Sequence, residues 1–187
     1  MKWDTFLATS ENRPPRPLLV EALPFVGEKE QALDFGAGAM VDTYFLIKEG
    51  FKVTATDLNG DVHKYLTGVP NVTFVESSFD TYAFPEETYD LVNAQYALPF
   101  NPPETFEKMF GDLTRSLKTG GIFVGQFFGT EDGWADRSTM TFLSEADVQT
   151  YLLPYEVIVY REEKQMGKTV AGGEKFWHVF HVIARKK

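Results

Sequence analysis

The chain has 187 residues, 43% of them hydrophobic, and a formal charge of −9 from 18 basic and 27 acidic side chains. That length supports one domain with a substantial core and is too short for two ordinary ones, while the negative field repels polyanions and makes nucleic acid and anionic lipid poor partners. The lack of cysteine excludes disulfides, thiolate catalysis and sulfur-held zinc, and fits a reducing compartment. No apolar run approaches the roughly 20 residues that span a bilayer, and the opening MKWDTFLATSENRPPRP lacks the basic-then-apolar layout of a signal peptide. A cytoplasmic protein with no membrane partner is expected, and a small or cationic molecule is the easier substrate.

Strands and helices alternate along the chain. After prolines at 14, 15 and 17 a short helical stretch covers 18–23, and 31–35 reads as a buried strand ending at Gly36. Helical spacing of Val41, Tyr44, Phe45 and Ile47 marks a helix over 41–49, stopped by Gly50, and 52–56 is a strand rich in β-branched residues. This is one β-α-β unit of about 30 residues. A helix over 61–66, strands over 72–75 and 89–94, and a helix over 103–117 follow. Gly120 and Gly121 end that helix, and an apolar strand over 121–128 leaves in a glycine-rich loop. Ser144 opens the last helix, with Glu145 and Asp147 where carboxylates suit the positive end of the helix dipole. Two strands, 155–162 and 175–184, close the chain as a hairpin around a glycine-rich turn at 167–173. Such alternation implies a parallel sheet covered on both faces, with an antiparallel addition at its end. Residues 1–187 are expected to form a single domain, with 1–29 as an N-terminal cap segment.

The turn after the first strand is the most specific signal. In an open parallel sheet ligands bind beyond the carboxyl ends of the strands. Gly36 and Gly38 let the backbone turn sharply and approach a ligand closely. A dinucleotide fingerprint would need glycine at position 41, which is valine, and a phosphate loop with its lysine is also missing. Asp34 opposes a phosphate and favours an ammonium or sulfonium by Coulomb attraction. Asp57, about 20 residues beyond the glycines, is placed to accept hydrogen bonds from ribose hydroxyls. Together the two acids ask for a cationic nucleoside.

The ordered series Asp34-Phe35-Gly36-Ala37-Gly38, Asp57, Ser78-Phe79-Asp80, Tyr89-Asp90-Leu91-Val92 and Leu117-Lys118-Thr119-Gly120-Gly121 resembles the motifs of class I S-adenosylmethionine-dependent methyltransferases. Within that superfamily DTYFLIKEGFKVTATD, NAQYALPF and FWHVFHVIARK resemble small bacterial methyltransferases related to the tellurite-resistance type. The resemblance implies an α/β, Rossmann-like three-layer sandwich whose seven-stranded, mostly parallel sheet has an antiparallel C-terminal strand. It implies S-adenosylmethionine as cofactor, with Gly36 and Gly38 on the methionine part, Asp57 on the ribose, Asp80 on the adenine amino group and Phe79 beside the ring. Asp34, Ala37, Leu58 and Asn93 join the expected cofactor contacts. Met40 departs from the pattern, which has a small, glycine-like residue there.

Several residues have plainer readings. Asp80-Thr81 is also a good turn, and Phe79 is equally a core aromatic. Asp90 lies at the wrong end of its strand for a ligand and reads as structural. His178 and His181, three apart on a strand, point to opposite faces and cannot chelate one metal; no metal is expected. NPPE at 101–104 suits a helix start. The acceptor pocket is expected above the fourth and fifth strand ends, from Asn93, Gln95, Tyr96, Phe100, Phe128 and Trp134. The loop 129–137 should close over it, and Arg13 and His178 are candidates to reach it. Methyl transfer from a sulfonium needs in-line placement and exclusion of water more than a nucleophile of the protein's own, so no catalytic side chain is singled out. The acceptor is an unidentified small molecule, and oligomeric state is not encoded in any motif. The rival readings are a non-catalytic S-adenosylmethionine-binding regulatory protein, with its acceptor pocket filled, and a nucleotide-sugar or nicotinamide enzyme, disfavoured by the missing third glycine.

Overall fold

The computed structural model describes residues 13–66, 68–170 and 172–187. Helix α1 (Pro17–Ala22) and a 3₁₀ turn precede β1 (Gln31–Phe35), α2 (Val41–Lys48) and β2 (Lys52–Asp57). A 3₁₀ segment, Gly60–Leu66, leads to β3 (Val72–Glu76), β4 (Tyr89–Ala94) and α3 (Pro103–Ser116). Then come β5 (Leu117–Gly129), the two-residue β6 (Phe142–Leu143), α4 (Glu145–Tyr151), β7 (Tyr155–Lys168) and β8 (Glu174–Lys186). The sheet runs β3-β2-β1-β4-β5-β8-β7, with β6 added in parallel beyond the end of β5. Among the described residues only β8 runs against the other strands, pairing antiparallel with both β5 and β7. This is the Rossmann-like α/β sandwich expected from the sequence, widened by β6.

Strand alternation assigns the two faces. Leu33, Phe35, Val92, Phe123 and Phe127 pack against Phe106, Met109, Phe110 and Leu113 of α3, which recur at the helical spacing that makes one apolar stripe. Ala32, Leu91, Ile122, Val124 and Ile183 point the other way, onto Leu18, Leu19 and Leu46 of α1 and α2. Pro103 starts α3 at a position where its missing N–H is harmless, and Ser144 with Asp147 forms a reciprocal capping box on α4. Among the described residues no helix is long and apolar enough to cross a membrane.

Three elements differ from the sequence expectation. Gly120 and Gly121 lie within β5, which starts at Leu117: Gly120 takes φ +82° and the register with β4 slips between Tyr89 and Leu91. The glycines thus make a bulge in a strand that then resumes. The segment after β2 is 3₁₀, and the final hairpin extends well past the predicted strand ends, carrying its turn above the carboxyl edge of the sheet.

Met40 sits at φ 61°, ψ 12°, a left-handed conformation that disfavours any side chain. Its thioether is fully buried among Ala37, Ala39, Ala55, Val62 and Leu66, and its sulfur accepts the Thr43 hydroxyl at 3.5 Å. Burial outweighs backbone strain here. Removing a buried Met side chain costs about 2–5 kcal/mol, whereas relieving the strain returns about 1–2 kcal/mol. Met40→Gly is therefore expected to destabilise the fold by roughly 1–3 kcal/mol in urea unfolding; unchanged or raised stability would show that strain dominates.

Candidate cofactor site

The turn from β1 into α2 is built on backbone donors. The N–H groups of Gly36 and Ala37 both donate to the carbonyl of Thr56, at 3.0 and 2.9 Å. Gly36 takes φ +79°, and a Cβ there would lie 2.7 Å from that of Ala97 and 3.2 Å from the Phe79 ring. Gly38, at φ +53°, donates its N–H to Asp57 Oδ2 at 2.8 Å. The other Asp57 oxygen accepts the Asn59 N–H at 2.9 Å, so the carboxylate that ends β2 ties together the turns after β1 and β2.

Asp34 lies beneath this turn and is buried. Its carboxylate accepts the Thr43 hydroxyl at 2.5 Å and the Asn93 amide at 2.8 Å. Burial, reinforced by the nearby Asp42 carboxylate, pushes its pKa up to about 6 against the two hydrogen bonds, which pull it down. Asp42, in the first turn of α2, is held by Arg13 through paired bonds of 3.0 and 2.6 Å and by the Arg16 N–H at 2.9 Å. Arg16 Nε is 3.6 Å from the same carboxylate, and its guanidinium lies 4.6 Å over the Tyr96 ring. Burial and Arg13 lower the Arg16 pKa.

These groups surround a cleft lined by Arg13, Arg16, Asp34, Gly36–Gly38, Ala39, Asp42, Asn93 and Gln95. From its floor a row of amides crosses the sheet. Gln95 Nε2 donates to Asn93 Oδ1 at 2.8 Å and Gln126 Nε2 to Gln95 Oε1 at 3.1 Å. Gln126 Oε1 accepts the Tyr96 N–H at 3.0 Å, and His181, opposite Gln126 in the β5–β8 register, pairs with Glu163 at 3.1 Å.

The cleft brings together Asp34, Gly36, Ala37, Gly38, Asn93 and Arg13 of the residues singled out from the sequence. Asp57 stands directly behind Gly38. Leu58, 65% exposed, and Asp80, which accepts the Ser78 hydroxyl at 2.7 Å, lie at the carboxyl ends of β2 and β3, outside that lining. Phe79 packs on Phe35 with ring centres 4.8 Å apart, the core placement its sequence context equally allowed. Tyr96, Phe100, Phe128 and Trp134 form one packed cluster with Trp177. The loop bearing Trp134 is tied down by Gly133 N–H to the Phe176 carbonyl at 2.8 Å and Thr141 N–H to that of Pro99 at 2.9 Å. His178 is on the face of β8 opposite His181; it accepts the Glu131 N–H at 3.1 Å and pairs with Glu162 at 2.9 Å, so the structure does not bring it to the cleft. Sequence reasoning missed Asp42 and Gln126. Only the Arg-x-x-Arg spacing at 13–16 hinted at the clamp on Asp42.

Residues 32–121 match the family model described as a methyltransferase domain. A stretch of 96 residues is 28% identical to an uncharacterized methyltransferase of Synechocystis sp., covering 51% of this chain and 45% of that protein. The chain thus spans less than half of this curated relative. Among solved structures, TehB from Haemophilus influenzae superposes with a TM-score of 0.72 at 17% identity, over 100% of this chain and 63% of that one. The Burkholderia thailandensis 1,6-didemethyltoxoflavin-N1-methyltransferase, solved with 1,6-didemethyltoxoflavin and S-adenosylhomocysteine, gives 0.68 at 21% identity over 98% and 81%. Residues 32–121 thus carry the similarity to a methyltransferase domain, and the fold is shared with these solved structures. The residues around the cleft fit S-adenosylmethionine, the cofactor that the sequence resemblance implies. A buried carboxylate with a raised pKa, facing a cleft where Gly36 and Gly38 present bare backbone, suits a cationic methionine moiety better than a phosphate.

The Asp34 carboxyl gives the cleft a testable pH dependence. Because its folded pKa is raised to about 6 from 3.8, the ligand-free fold gains stability as pH falls from about 6 towards 4 and loses it as pH rises through about 6. Cofactor affinity should move the opposite way, since a cationic ligand prefers the ionised carboxylate. The dissociation constant of S-adenosylhomocysteine, by calorimetry, should rise up to about tenfold per pH unit below about 6, and Asp34→Asn should flatten the profile. A flat wild-type profile between about pH 5 and 7 would remove Asp34 from the ligand site.

Proposed function

We propose that the protein, acting in the cytoplasm, transfers the methyl group of S-adenosylmethionine to a small-molecule acceptor by in-line displacement. In this reading the whole chain works as one methyltransferase unit with residues 13–29 as the described part of its cap; residues 1–12 of that segment lie outside the described residues. The observation that carries it is the convergence of Asp34, Gly36, Gly38 and Asn93 on one cleft at the carboxyl edge of the sheet, backed by Asp57 and continuing into the Gln95–Gln126 row. Cap residues Arg13 and Arg16 line the same cleft. The net charge of −9 favours a small acceptor over a polyanion.

When bound, the cofactor supplies an electrophilic methyl group on sulfur. The chain's own part is orientation and exclusion of water. Asp34 and Asn93 present a carboxylate and an amide to the methionine end, while the turn glycines allow close approach. Asp57 accepts hydrogen bonds from ribose hydroxyls on the oxygen lone pairs that Gly38 and Asn59 leave free. Leu58, Phe79 and Asp80 would hold the adenine end. On the acceptor side Tyr96 is held by the Gln126 amide and by Arg16, next to the cluster of Phe100, Phe128 and Trp134.

The test is binding first and turnover second. The purified protein should bind S-adenosylmethionine and S-adenosylhomocysteine and not NAD; the reverse pattern would end this reading. Asp57→Ala should raise the S-adenosylhomocysteine dissociation constant about tenfold or more, since a charged hydrogen-bond partner is worth roughly 1.5–3 kcal/mol. It should also lower the melting temperature, because two backbone donors lose their acceptor. A lowered melting temperature with unchanged affinity would make Asp57 purely structural.

A further inference from the structure

Beyond Tyr96, away from the cofactor cleft, the chain encloses one of its own cations. Lys175, near the start of β8, is 4% exposed. Its Nζ lies 3.6 Å from the ring centre of Trp177, 3.9 Å from Trp134 and 4.3 Å from Phe128. Asp132 Oδ1 is 2.7 Å away, and its side chain is fully buried. That distance makes an ion pair, and Nζ has no further polar partner among the described residues, so Asp132 alone faces its three N–H groups. The Asp132 oxygens also accept from the N–H groups of Trp134 at 3.0 Å and His178 at 3.2 Å.

A primary ammonium carries three N–H donors, and burying them unsatisfied is unfavourable. Desolvation accordingly pulls the Lys175 pKa down. A methylated ammonium has the same charge, few or no N–H groups and more apolar surface, so ring faces and one carboxylate satisfy it completely. The surroundings suit such a group better than the lysine that fills them. The place is also adjacent to the cofactor cleft. Tyr96 is 6.3 Å from Phe128 and 6.2 Å from Trp177, centre to centre, while Arg16, which lines the cleft, lies over the same Tyr96 ring.

We propose that Phe128, Trp134, Trp177 and Asp132 form a binding site for a tertiary or quaternary ammonium group of the methyl acceptor or its product, and that Lys175 is its resident cation when no such group is present. This rests on the neighbouring cleft being a methyltransferase site. Exchange of one cation for another keeps Asp132 paired throughout, which avoids an uncompensated buried carboxylate.

The experiment uses the full chain saturated with S-adenosylhomocysteine, whose binding is established first by calorimetry. Tetramethylammonium chloride is then titrated while tryptophan fluorescence is followed, with sodium and ammonium chloride at matched ionic strength as controls. A saturable response to tetramethylammonium alone is expected, tightened about tenfold or more in Lys175→Ala and lost when Trp177→Leu is added. If S-adenosylhomocysteine binds but neither wild type nor Lys175→Ala responds to tetramethylammonium, the ammonium site is wrong while the cofactor site stands. If S-adenosylhomocysteine itself does not bind, the cofactor reading fails first. Should Lys175→Ala not fold, the wild-type titration decides alone, and no saturable response overturns the proposal.

Discussion

The Gly38 N–H points at Asp57 from 2.8 Å, and the geometry of the cofactor cleft follows from that bond. A buried N–H without a partner is strongly disfavoured, so the chain must hold Gly38 in its left-handed turn to keep the acceptor in reach. That turn sets the start of α2, which in turn places Thr43 on Asp34 and Asp42 at the mouth of the cleft. On the far side Asp57 also takes the Asn59 N–H, fixing the exit from β2. One carboxylate thereby aligns two consecutive strand ends, where an open parallel sheet offers its ligand crevice.

Charge is distributed unevenly over that crevice. Among the described residues Asp34 has only neutral hydrogen-bond partners, Thr43 and Asn93, whereas Asp42 has Arg13 and Arg16. The difference decides their roles. A carboxylate already paired to a bidentate guanidinium gains little from another cation, and Asp42 serves to clamp residues 13–16 across the cleft. Asp34, buried and unpaired by charge, retains the attraction for a cationic ligand.

Much of this was legible because it is local. The strands at 31–35 and 89–94 match the structure at both ends, since each is a short buried apolar run bounded by turn residues. Asp34, Gly36, Gly38 and Asp57 are close in sequence, and their spacing expresses a turn. The clamp of Arg13 on Asp42 joins residues 29 apart, and the Gln95–Gln126 bond joins residues 31 apart; neither has a periodic or motif signature. Lys175 was invisible for the same reason. Its surroundings come from the end of β5, the loop after it and the strand that returns through the hairpin, and only the pairing register assembles them. The helix expected over 103–117 ends at Ser116, but β5 starts before the glycine pair rather than after it, because the pair codes for a bulge, which looks like a helix stop when no partner strand is in view.

Tyr96 shows how the local and the assembled halves meet. It adopts φ 55°, a strained value for an aromatic residue, immediately after the strand that carries Asn93. The strain is held by the Gln126 side chain accepting its N–H at 3.0 Å, an acceptor available only because β5 lies beside β4 in parallel register. With the backbone turned this way the ring stands between Arg16 and the edges of Phe128 and Trp177. An ordinary extended conformation would take the ring out of that wall and merge the polar cleft with the aromatic cluster. The sheet therefore does more than support the cofactor turn: its amide row sets a backbone conformation that keeps a cation-attracting, hydrogen-bonding cleft distinct from an aromatic, water-poor space one residue away.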